Sequence, residues 1–365
     1  MIDRKLFQKT FSTLHASPDT LSEVYKVVRR NKKRHILTKG ILIAAVLAMC
    51  VTVAGAAGIA NLIKANVTPA DSVTAADLHA FDADSISSDM PVMLDNSGQL
   101  VDLPRMERVA LDAETMQRLV GDYLSTVDAT VEADGYTISL KTFLIDESGS
   151  GFLTYTLSNP NGVSYADYGY GQVGTPMNPI LYIGEVGGHA MDAYTYLDTA
   201  ASTDTELHLV LYFNDFGHWQ KGDSLLFSVK SGATGGRSAI CIIPRTYLPV
   251  TTFTAESGDT VTVSALGIRM PTPAAADVVT EAVLDELVLH MADGSQYVVQ
   301  SEEDNIMNWV VGLGIADEDY HTIGNAYSFN RVVDVDAVTS VTVGGHYYTD
   351  FTAETAVAFD NTYTR

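Results

Sequence analysis

The feature that most constrains this chain is an apolar run of 21 residues, from Gly40 to Ala60, in which Thr52 is the only polar side chain. A helix rising ~1.5 Å per residue spans about 30 Å over this length, which matches the hydrocarbon thickness of a bilayer. The run therefore predicts a single transmembrane helix, which we place at residues 40–63. Cys50 lies inside it and is interpreted as an ordinary apolar membrane residue.

The charge changes sign across this run. Residues 1–39 hold ten Lys and Arg against three acidic residues, a net of +7, whereas residues 65–365 hold eleven basic and 42 acidic residues, a net of −31. By the positive-inside rule the chain is a single-pass protein of the cell membrane, with a cytoplasmic N-terminus and an extracellular C-terminal region. The residues that determine this topology are Arg29, Arg30, Lys32, Lys33, Arg34 and Lys39.

A secretory signal peptide is an alternative interpretation of the apolar run, and it carries less weight. A secretory signal peptide has an apolar core of about 7–15 residues near the N-terminus, whereas this run is longer and follows 39 residues. Small residues from Ala54 to Ala57 lie near the outer end of the run, so cleavage of the chain there by a signal peptidase stays an alternative. The overall charge of −23 argues against nucleic acid as a partner, because binding to phosphates depends on basic side chains.

The predicted cytoplasmic segment, residues 1–39, is too short to bury a core of its own. Apolar side chains recur at helical spacing on both sides of Ser17-Pro18-Asp19, a sequence typical of a helix start, and this predicts a short helical hairpin. It is either a charged anchor on the inner leaflet or a helical face that binds a groove of a cytoplasmic protein. The expected partner-binding residues are Phe7, Phe11, Leu14, Leu21, Val24 and Val28.

Beyond the membrane, the sequence predicts a linker and then mainly β structure. Residues 64–104 are rich in Asp, Ser, Ala and Thr and are interpreted as a stalk. An amphipathic helix is expected after Pro104, because apolar residues recur from Met116 to Leu124 at helical spacing. From Thr126 the period changes to two, which is typical of strands.

Many short strands with turns about every ten residues predict two extracellular antiparallel β-sandwich domains, at residues 105–245 and 250–365. The pairs Asp134-Gly135, Asp293-Gly294 and Gly344-Gly345 are expected to turn hairpins. The predicted strands are Tyr136–Ile145, Leu153–Leu157, Glu206–Phe213, Ser224–Val229, Ala239–Ile243, Asp259–Ala265, Glu286–Met291, Gln296–Val299, Val338–Val343 and Tyr347–Phe351.

No catalytic motif has its required context. Gly169 to Gly174 matches the GxGxxG string of dinucleotide-binding proteins, but Pro176 and Pro179 prevent the helix that must follow. Ser224 lies in a Gly-Asp-Ser-Leu sequence found in one esterase family, yet the spacing pairs it with no histidine among His189, His208 and His218. We therefore predict that the chain is not an enzyme and has no catalytic residues.

The sequence predicts neither a metal site nor a cofactor. There is no HExxH, no pair of CxxC motifs and no twelve-residue calcium loop. The acidic residues at 317–319, together with Asp334 and Asp336, are interpreted as solvated, with weak calcium binding as the alternative. Cys241 is expected to be a small buried hydrophobe. The sequence does not identify the extracellular ligand. Tyr165, Tyr168 and Tyr170, with Trp219, could form a surface that binds a glycan or a peptide, or they could be ordinary exposed aromatic residues of strands.

Several segments resemble a family of bacterial single-pass proteins, the negative effectors of extracytoplasmic-function sigma factors. The resemblance lies in FQKTFSTLHASPDTLSEVYKVV before the membrane run and in VEADGYTISLKTFLID after it. Near the C-terminus, SGDTVTVSALGIRM, LHMADGSQYVV and VVDVDAVTSVTVGG are similar to the Ig-like domain of these proteins. The family also carries a domain of unknown function.

The resemblance implies an anti-sigma-like regulator whose cytoplasmic helices bind a sigma factor and whose extracellular domains sense an envelope signal. The chain departs from the zinc-binding anti-sigma class, which uses a histidine and a cysteine pair, because residues 1–39 contain no cysteine. The alternative function is a non-enzymatic binding or adhesion module displayed on the surface and anchored by the transmembrane helix.

Overall fold

The structure, a computed structural model, describes residues 59–73, 113–163, 180–184, 191–215, 220–230, 237–271, 281–316, 322–348 and 356–365. The chain divides into two compact units, residues 1–62 and 63–365. Across the described ranges, none of the helical structure has the length and apolar character needed to cross a bilayer. Residues 40–58 of the predicted span lie outside those ranges. The described chain is mainly β, as predicted, and its sheets are antiparallel.

The helix expected after Pro104 is confirmed as α1, Ala113–Val120, and a 3₁₀ turn at Gly121–Tyr123 follows it. Met116 and Val120 are its buried residues. The strands before residue 250 are β1 (Ile59–Lys64), β2 (Asn66–Pro69), β3 (Ser125–Ala133), β4 (Tyr136–Ile145), β5 (Gly151–Ser158), β6 (Ile180–Gly184), β7 (Met191–Asp198), β8 (Glu206–Asp215), β9 (Leu225–Lys230) and β10 (Arg237–Ile242).

These strands form two sheets, which we call the N-terminal β module. One sheet has the order β2-β3-β4-β5-β8-β7 and the other β1-β10-β9-β6. Their facing side chains make one core, in which Phe143 and Phe213 of the larger sheet pack around Phe227 of the smaller one at centroid distances of 6.4 and 6.1 Å. β3 alternates between buried and exposed residues along most of its length, as expected for a strand with one face in a core.

The remaining strands form the C-terminal β module. They are β11 (Thr251–Thr254), β12 (Thr260–Val263), β13 (Gly267–Pro271), β14 (Glu281–Met291), β15 (Gln296–Ser301), β16 (Ile306–Met307), β17 (Trp309–Ala316), β18 (Thr322–Phe329), β19 (Val338–Tyr348) and β20 (Ala356–Thr364). Their order is β16-β15-β14-β19-β20-β11-β12-β13-β18-β17. β20 and β11 pair only at Thr254 and Thr364, and side chains from both halves of this series share one core.

The start of the β region differs from the sequence expectation. Ile59–Lys64, at the end of the span placed at 40–63, is a strand, and so is Asn66–Pro69 in the expected stalk. Val67 is 3% exposed and pairs with Val127 of β3, while the Ala65 N–H donates to the Cys241 carbonyl at 3.0 Å. These contacts bury apolar side chains and satisfy backbone groups that a solvated stalk would leave in water.

Two of the three predicted hairpin turns are confirmed. Asp134-Gly135 and Asp293-Gly294 connect adjacent strands, and both of their glycines have positive φ, +81° and +84°. The third is wrong, because β19 runs without a break from Val338 to Tyr348 through Gly344 and Gly345. Gly345 lies against the Val283 carbonyl and the Phe359 ring, so the missing side chain permits close packing rather than a turn.

We predict that alanine lowers the free energy of unfolding at Gly345 but barely changes it at the neighbouring Gly344. In Gly345→Ala the new Cβ would meet the Val283 carbonyl oxygen and lie 3.1 Å from Phe359 Cζ, so the free energy of unfolding should fall by about 1–3 kcal/mol. In the matched control Gly344→Ala the nearest atom is Glu286 Cβ at 3.7 Å, an ordinary contact, and the change should stay within about 0.5 kcal/mol. Urea unfolding of the full chain in detergent measures both, and equal losses would contradict the packing role of Gly345.

Candidate functional site

Most of the residues singled out from the sequence lie outside the described ranges. These are the predicted partner-binding residues Phe7, Phe11, Leu14, Leu21, Val24 and Val28, the topology-determining residues Arg29, Arg30, Lys32, Lys33, Arg34 and Lys39, the glycine string 169–174, Tyr165, Tyr168, Tyr170, Trp219, His189, His218 and the acidic residues 317–319. The predictions for them therefore stay predictions.

Ser224 and His208 fall within the described ranges, and each has a structural setting of its own. Ser224 directly precedes β9 and is only 5% exposed, so its hydroxyl is not presented to solvent. The His208 ring Nε2 lies 3.1 Å from Glu206 Oε1, and the His208 backbone N–H donates to Ser202 Oγ at 2.9 Å. The ring of His208 is therefore bonded to a carboxylate on its own strand.

Asp334 and Asp336 are held in ion pairs. Arg118 Nη1 of α1 donates to Asp334 Oδ2 at 2.8 Å, and Arg365 Nη2 donates to Asp336 Oδ1 at 3.1 Å. In the described part of the chain, no three His, Cys, Asp or Glu side chains come together in a way that could hold a metal ion. Cys241 is 1% exposed in β10, so its expected burial is confirmed.

The most distinctive arrangement in the described chain is the contact between the two β modules, which we call the module seam. The outer faces of β7 and β8 pack against β17 and β18, and α1 covers one end. The seam is an apolar cluster of its own, separate from the two module cores. It contains Met116, Val120, Leu124, Leu144, Phe152, Val210, Tyr212, Leu248, Ala265, Leu266, Val310, Val311 and Val332.

Polar side chains fix the position of the modules across this apolar seam. The Tyr196 hydroxyl donates to the Val310 carbonyl at 3.1 Å, and the fully buried Asn214 donates through Nδ2 to the Val311 carbonyl at 3.2 Å. Both donors belong to the N-terminal β module and both acceptors belong to β17. Hydrogen bonds require specific distances and angles, so they select one docked position from the many that apolar contact alone would allow.

A fully buried carboxylate, Asp146, lies at the edge of the seam. It follows β4, and its own turn donates three hydrogen bonds to Oδ1: from the Ser148 N–H at 2.8 Å, the Ser148 hydroxyl at 2.7 Å and the Ser150 N–H at 2.9 Å. Its other oxygen, Oδ2, accepts a bond of 2.6 Å from the hydroxyl of Ser264, 118 residues away in the C-terminal β module. Asp146 therefore connects the two modules.

Ser264 is as completely bonded as the carboxylate. It is 1% exposed, and its oxygen accepts the N–H groups of Leu266 at 3.0 Å and Gly267 at 3.2 Å. Two accepted bonds use both lone pairs of a hydroxyl, so its one proton is directed to Asp146. Asp146 and Ser264 thus join the β4–β5 turn to the β12–β13 turn in one network, which we call the Asp146–Ser264 network.

Burial raises the pKa of Asp146 above the ordinary aspartate value, because the low-dielectric interior penalises the charged form. The bonds donated by Ser264, Ser148 and Ser150 oppose this rise without cancelling it. The adjacent Glu147 is instead partly exposed and pairs with Lys221 Nζ at 2.6 Å. The same ammonium group lies 5.1 Å from the centre of the Tyr247 ring.

The segment between the modules is bound along its length, and this completes the site. The Leu248 N–H donates to the Ile145 carbonyl at 2.9 Å, and the Glu147 N–H donates to the Leu248 carbonyl at 3.0 Å. The Thr246 hydroxyl donates to the Tyr123 carbonyl at 2.8 Å. The sequence marks this region only as a boundary between domains, whereas the structure shows that it packs beside Asp146.

Sequence reasoning missed this site for an identifiable reason. Asp146 followed by Ser148 and Ser150 is a local signal for a turn closed by an aspartate side chain, and it was available from the sequence. Its contact with Ser264 could not be predicted, because nothing in the local pattern around residue 264 indicates a contact with residue 146.

A scan against models of known protein families and a search of curated proteins both gave no match to this chain.

We predict that Asp146→Ala lowers the free energy of unfolding by about 2–4 kcal/mol. The substitution leaves the buried Ser150 and Ser264 donors without an acceptor, and each unsatisfied buried donor costs about 1–3 kcal/mol. The matched control is Asp128→Ala, at an exposed position of β3, with an expected change within about 0.5 kcal/mol. Urea unfolding of the full chain in detergent measures both changes. Equal losses of stability in the two variants would contradict a stabilising role of Asp146 at the seam.

Proposed function

We propose that the chain is a membrane-anchored, anti-sigma-like regulator of transcription. Its cytoplasmic helices bind a sigma factor, and its extracellular β modules sense a signal in the envelope. The observation that carries this proposal is the division of the sequence at residues 40–60, with a net charge of +7 before the apolar run and −31 after residue 64. A short patterned cytoplasmic segment and a large folded exterior are the parts that such a regulator requires.

The resemblance to the negative effectors of extracytoplasmic-function sigma factors supports the same function. It covers the segment that contains Phe7 and Phe11, and a charge-based topology signal would not need aromatic residues on one helical face. In this proposal the two β modules are extracellular sandwich domains, and the C-terminal one is Ig-like. The sigma factor is the expected cytoplasmic partner.

The way the chain enters the β region also supports a signalling role. Residues that follow the apolar run are already bonded into the second unit: Ala65 to Cys241, Ala70 to the Leu124 carbonyl at 2.9 Å, and Val73 to Gln117 Oε1 at 2.8 Å. A strand from Ile59 leaves 19 apolar residues, 40–58, and a helix of that length still spans about 28 Å. A short connection favours the transfer of movement to the span, whereas an adhesin benefits from a long stalk.

The module seam adds a route for the signal within the exterior. A ligand that displaces the C-terminal β module must act on β7 and β8 through the seam, and β8 belongs to the same sheet as β2. Packed interfaces respond to such displacement as units, because closely packed side chains do not deform continuously. The ligand could therefore bind far from the membrane and still affect the strands that follow the span.

We predict that aspartate at the aromatic positions of the cytoplasmic helix weakens sigma-factor binding. Phe7→Asp and Phe11→Asp place a charge in an apolar contact, and loss of a buried aromatic anchor costs at least about 1.4 kcal/mol, which is about tenfold in affinity. The full chain in detergent is tested against each purified sigma factor of the host. Ser12→Asp adds the same charge on the opposite side of the predicted helix and should leave affinity unchanged.

The outcomes of this binding test separate the two candidate functions. If no sigma factor binds the unmodified chain, or if Ser12→Asp weakens binding as much as Phe7→Asp, the regulator hypothesis fails. Deletion of residues 3–28 in the host then tests the alternative. An adhesion module should keep its surface function without these residues, whereas a regulator should lose control of its target genes.

We also predict that the β modules are labelled from outside the cell. Glu303 is exposed in the β15–β16 turn, so Glu303→Cys should react with a membrane-impermeant maleimide on intact cells. Ser12→Cys should react only after the membrane is permeabilised. Both variants carry Cys50→Ala, and Cys241 is buried and should stay unlabelled. Labelling of position 12 on intact cells would contradict the predicted cytoplasmic location of the N-terminus.

A further inference from the structure

The last strand, β20, has one edge that is fully paired and one that is open along most of its length. It pairs with β19 at every residue from Ala356 to Thr364, whereas its pairing with β11 is confined to Thr254 and Thr364. Among the described strands, no other one lies beside it. Backbone N–H and C=O groups point alternately to the two sides of a strand. Every second residue before Thr364 therefore directs these groups away from β19, where an incoming strand can pair with them.

The open edge borders apolar surface that the module core does not cover. Val357 faces the same way as Phe359 and Tyr363, which pack on that core, because side chains two residues apart share a face of a strand. Tyr363 is 4% exposed, whereas Val357 is 41% exposed. Ala356 and Ala358 on the opposite face are exposed as well. Both faces of β20 are thus accessible beside the open edge.

The strands on this side of the C-terminal β module carry no positive charge to repel a basic ligand. β14, β15, β16, β19 and β20 together contain four acidic residues and no Lys or Arg. Two of these acidic residues, Glu286 and Asp360, are exposed and lie on either side of Gly344 in one cross-strand row. A basic side chain on a strand added beside β20 would be a cross-strand neighbour of Asp360.

We propose that the open edge of β20 binds an extended peptide in which basic and apolar side chains alternate, so that the peptide adds to the sheet as a further strand. Its backbone pairs with β20, its apolar side chains cover Val357 and Phe359, and its basic side chains face Asp360. The alternation is required because successive side chains of a strand lie on opposite faces. This inference goes beyond the proposed sigma-factor binding and does not depend on it.

Charge favours such a peptide over a second copy of the chain at the same edge. Residues 65–365 carry a net charge of −31, so two of these regions repel each other. Pairing of β20 with β20 would also add a second Asp360 to a sheet that has no basic side chain in its strands. A cationic strand instead neutralises part of the acidic surface.

Binding of labelled probe peptides to the full chain in detergent tests the proposal. One probe alternates valine with lysine over eight residues, and a matched probe has glutamate in place of lysine. The lysine probe should bind at least about tenfold more tightly, a difference of about 1.4 kcal/mol. A lysine probe with four N-methylated central residues lacks the backbone donors of a strand and should lose at least about tenfold in affinity. Absence of binding by the lysine probe, or equal affinity of its N-methylated form, would overturn the proposal.

Val357→Asp distinguishes strand addition from a general attraction between charges. Its new carboxylate would lose hydration against the apolar side of the peptide, so the lysine probe should bind at least about threefold more weakly. General attraction would instead strengthen binding to the more acidic chain. The matched control is Tyr194→Asp, which adds the same charge at a side chain of β7 that is 52% exposed, and it should not weaken binding. Unchanged or stronger binding to Val357→Asp would overturn the proposal.

A conservative variant tests the charge contact. Asp360→Asn should weaken binding of the lysine probe by about twofold to fivefold, the range for an exposed ion pair. Asp128→Asn makes the same charge change at an exposed position of β3 and should leave the affinity unchanged. Equal effects of the two variants would contradict a contact with Asp360. Should Val357→Asp not fold, the N-methylated probe still tests strand addition on the unmodified chain.

Sedimentation of the full chain in detergent tests a second copy as the occupant of the edge. A dimer that becomes a monomer in Val357→Asp would show that β20 pairs with β20, and it would overturn the proposal. A monomer, or a dimer that Val357→Asp leaves intact, supports the proposal when it is found together with binding of the lysine probe.

Discussion

Two neighbouring strands in the six-stranded sheet of the N-terminal β module, β5 and β8, are buried on both faces, and the rest of the described structure depends on this constraint. Leu153 and Tyr155 of β5 point into the module core, whereas Phe152, which precedes Leu153, points into the seam. Strands covered on both sides are hydrophobic along their length rather than alternating, and β5 and β8 have this character. Exposure of the outer face would place Phe152 and Tyr212 in water, so the modules are docked rather than merely tethered.

An apolar seam alone would hold the modules together without selecting one arrangement. The Asp146–Ser264 network contributes that selection, because the Ser264 hydroxyl reaches Asp146 Oδ2 only when the β4–β5 and β12–β13 turns are in register. A buried carboxylate is costly to desolvate, and complete hydrogen bonding is what makes it tolerable.

The proposed regulator gives these features a common use. In this proposal the +7 segment holds the N-terminus inside, the apolar run crosses the membrane, and the chain joins the β region soon afterwards. The strong negative charge of residues 65–365 disfavours anionic ligands and favours solubility of the β modules. Because the seam joins the two modules, a signal that reaches the C-terminal one has a packed route toward β2 and the strand that follows the apolar run.

The sequence by itself determined the local features, because periodicity, turn residues and charge are local properties. It placed β4 at its observed bounds, predicted α1 from Met116 and its neighbours, and identified the Asp134-Gly135 and Asp293-Gly294 turns. Only the tertiary structure decided that β19 continues through Gly345, that residues after Ile63 belong to the β region, and that Asp146 meets Ser264. These outcomes depend on contacts between residues far apart in the chain, and a local sequence pattern does not indicate which distant residues it will contact.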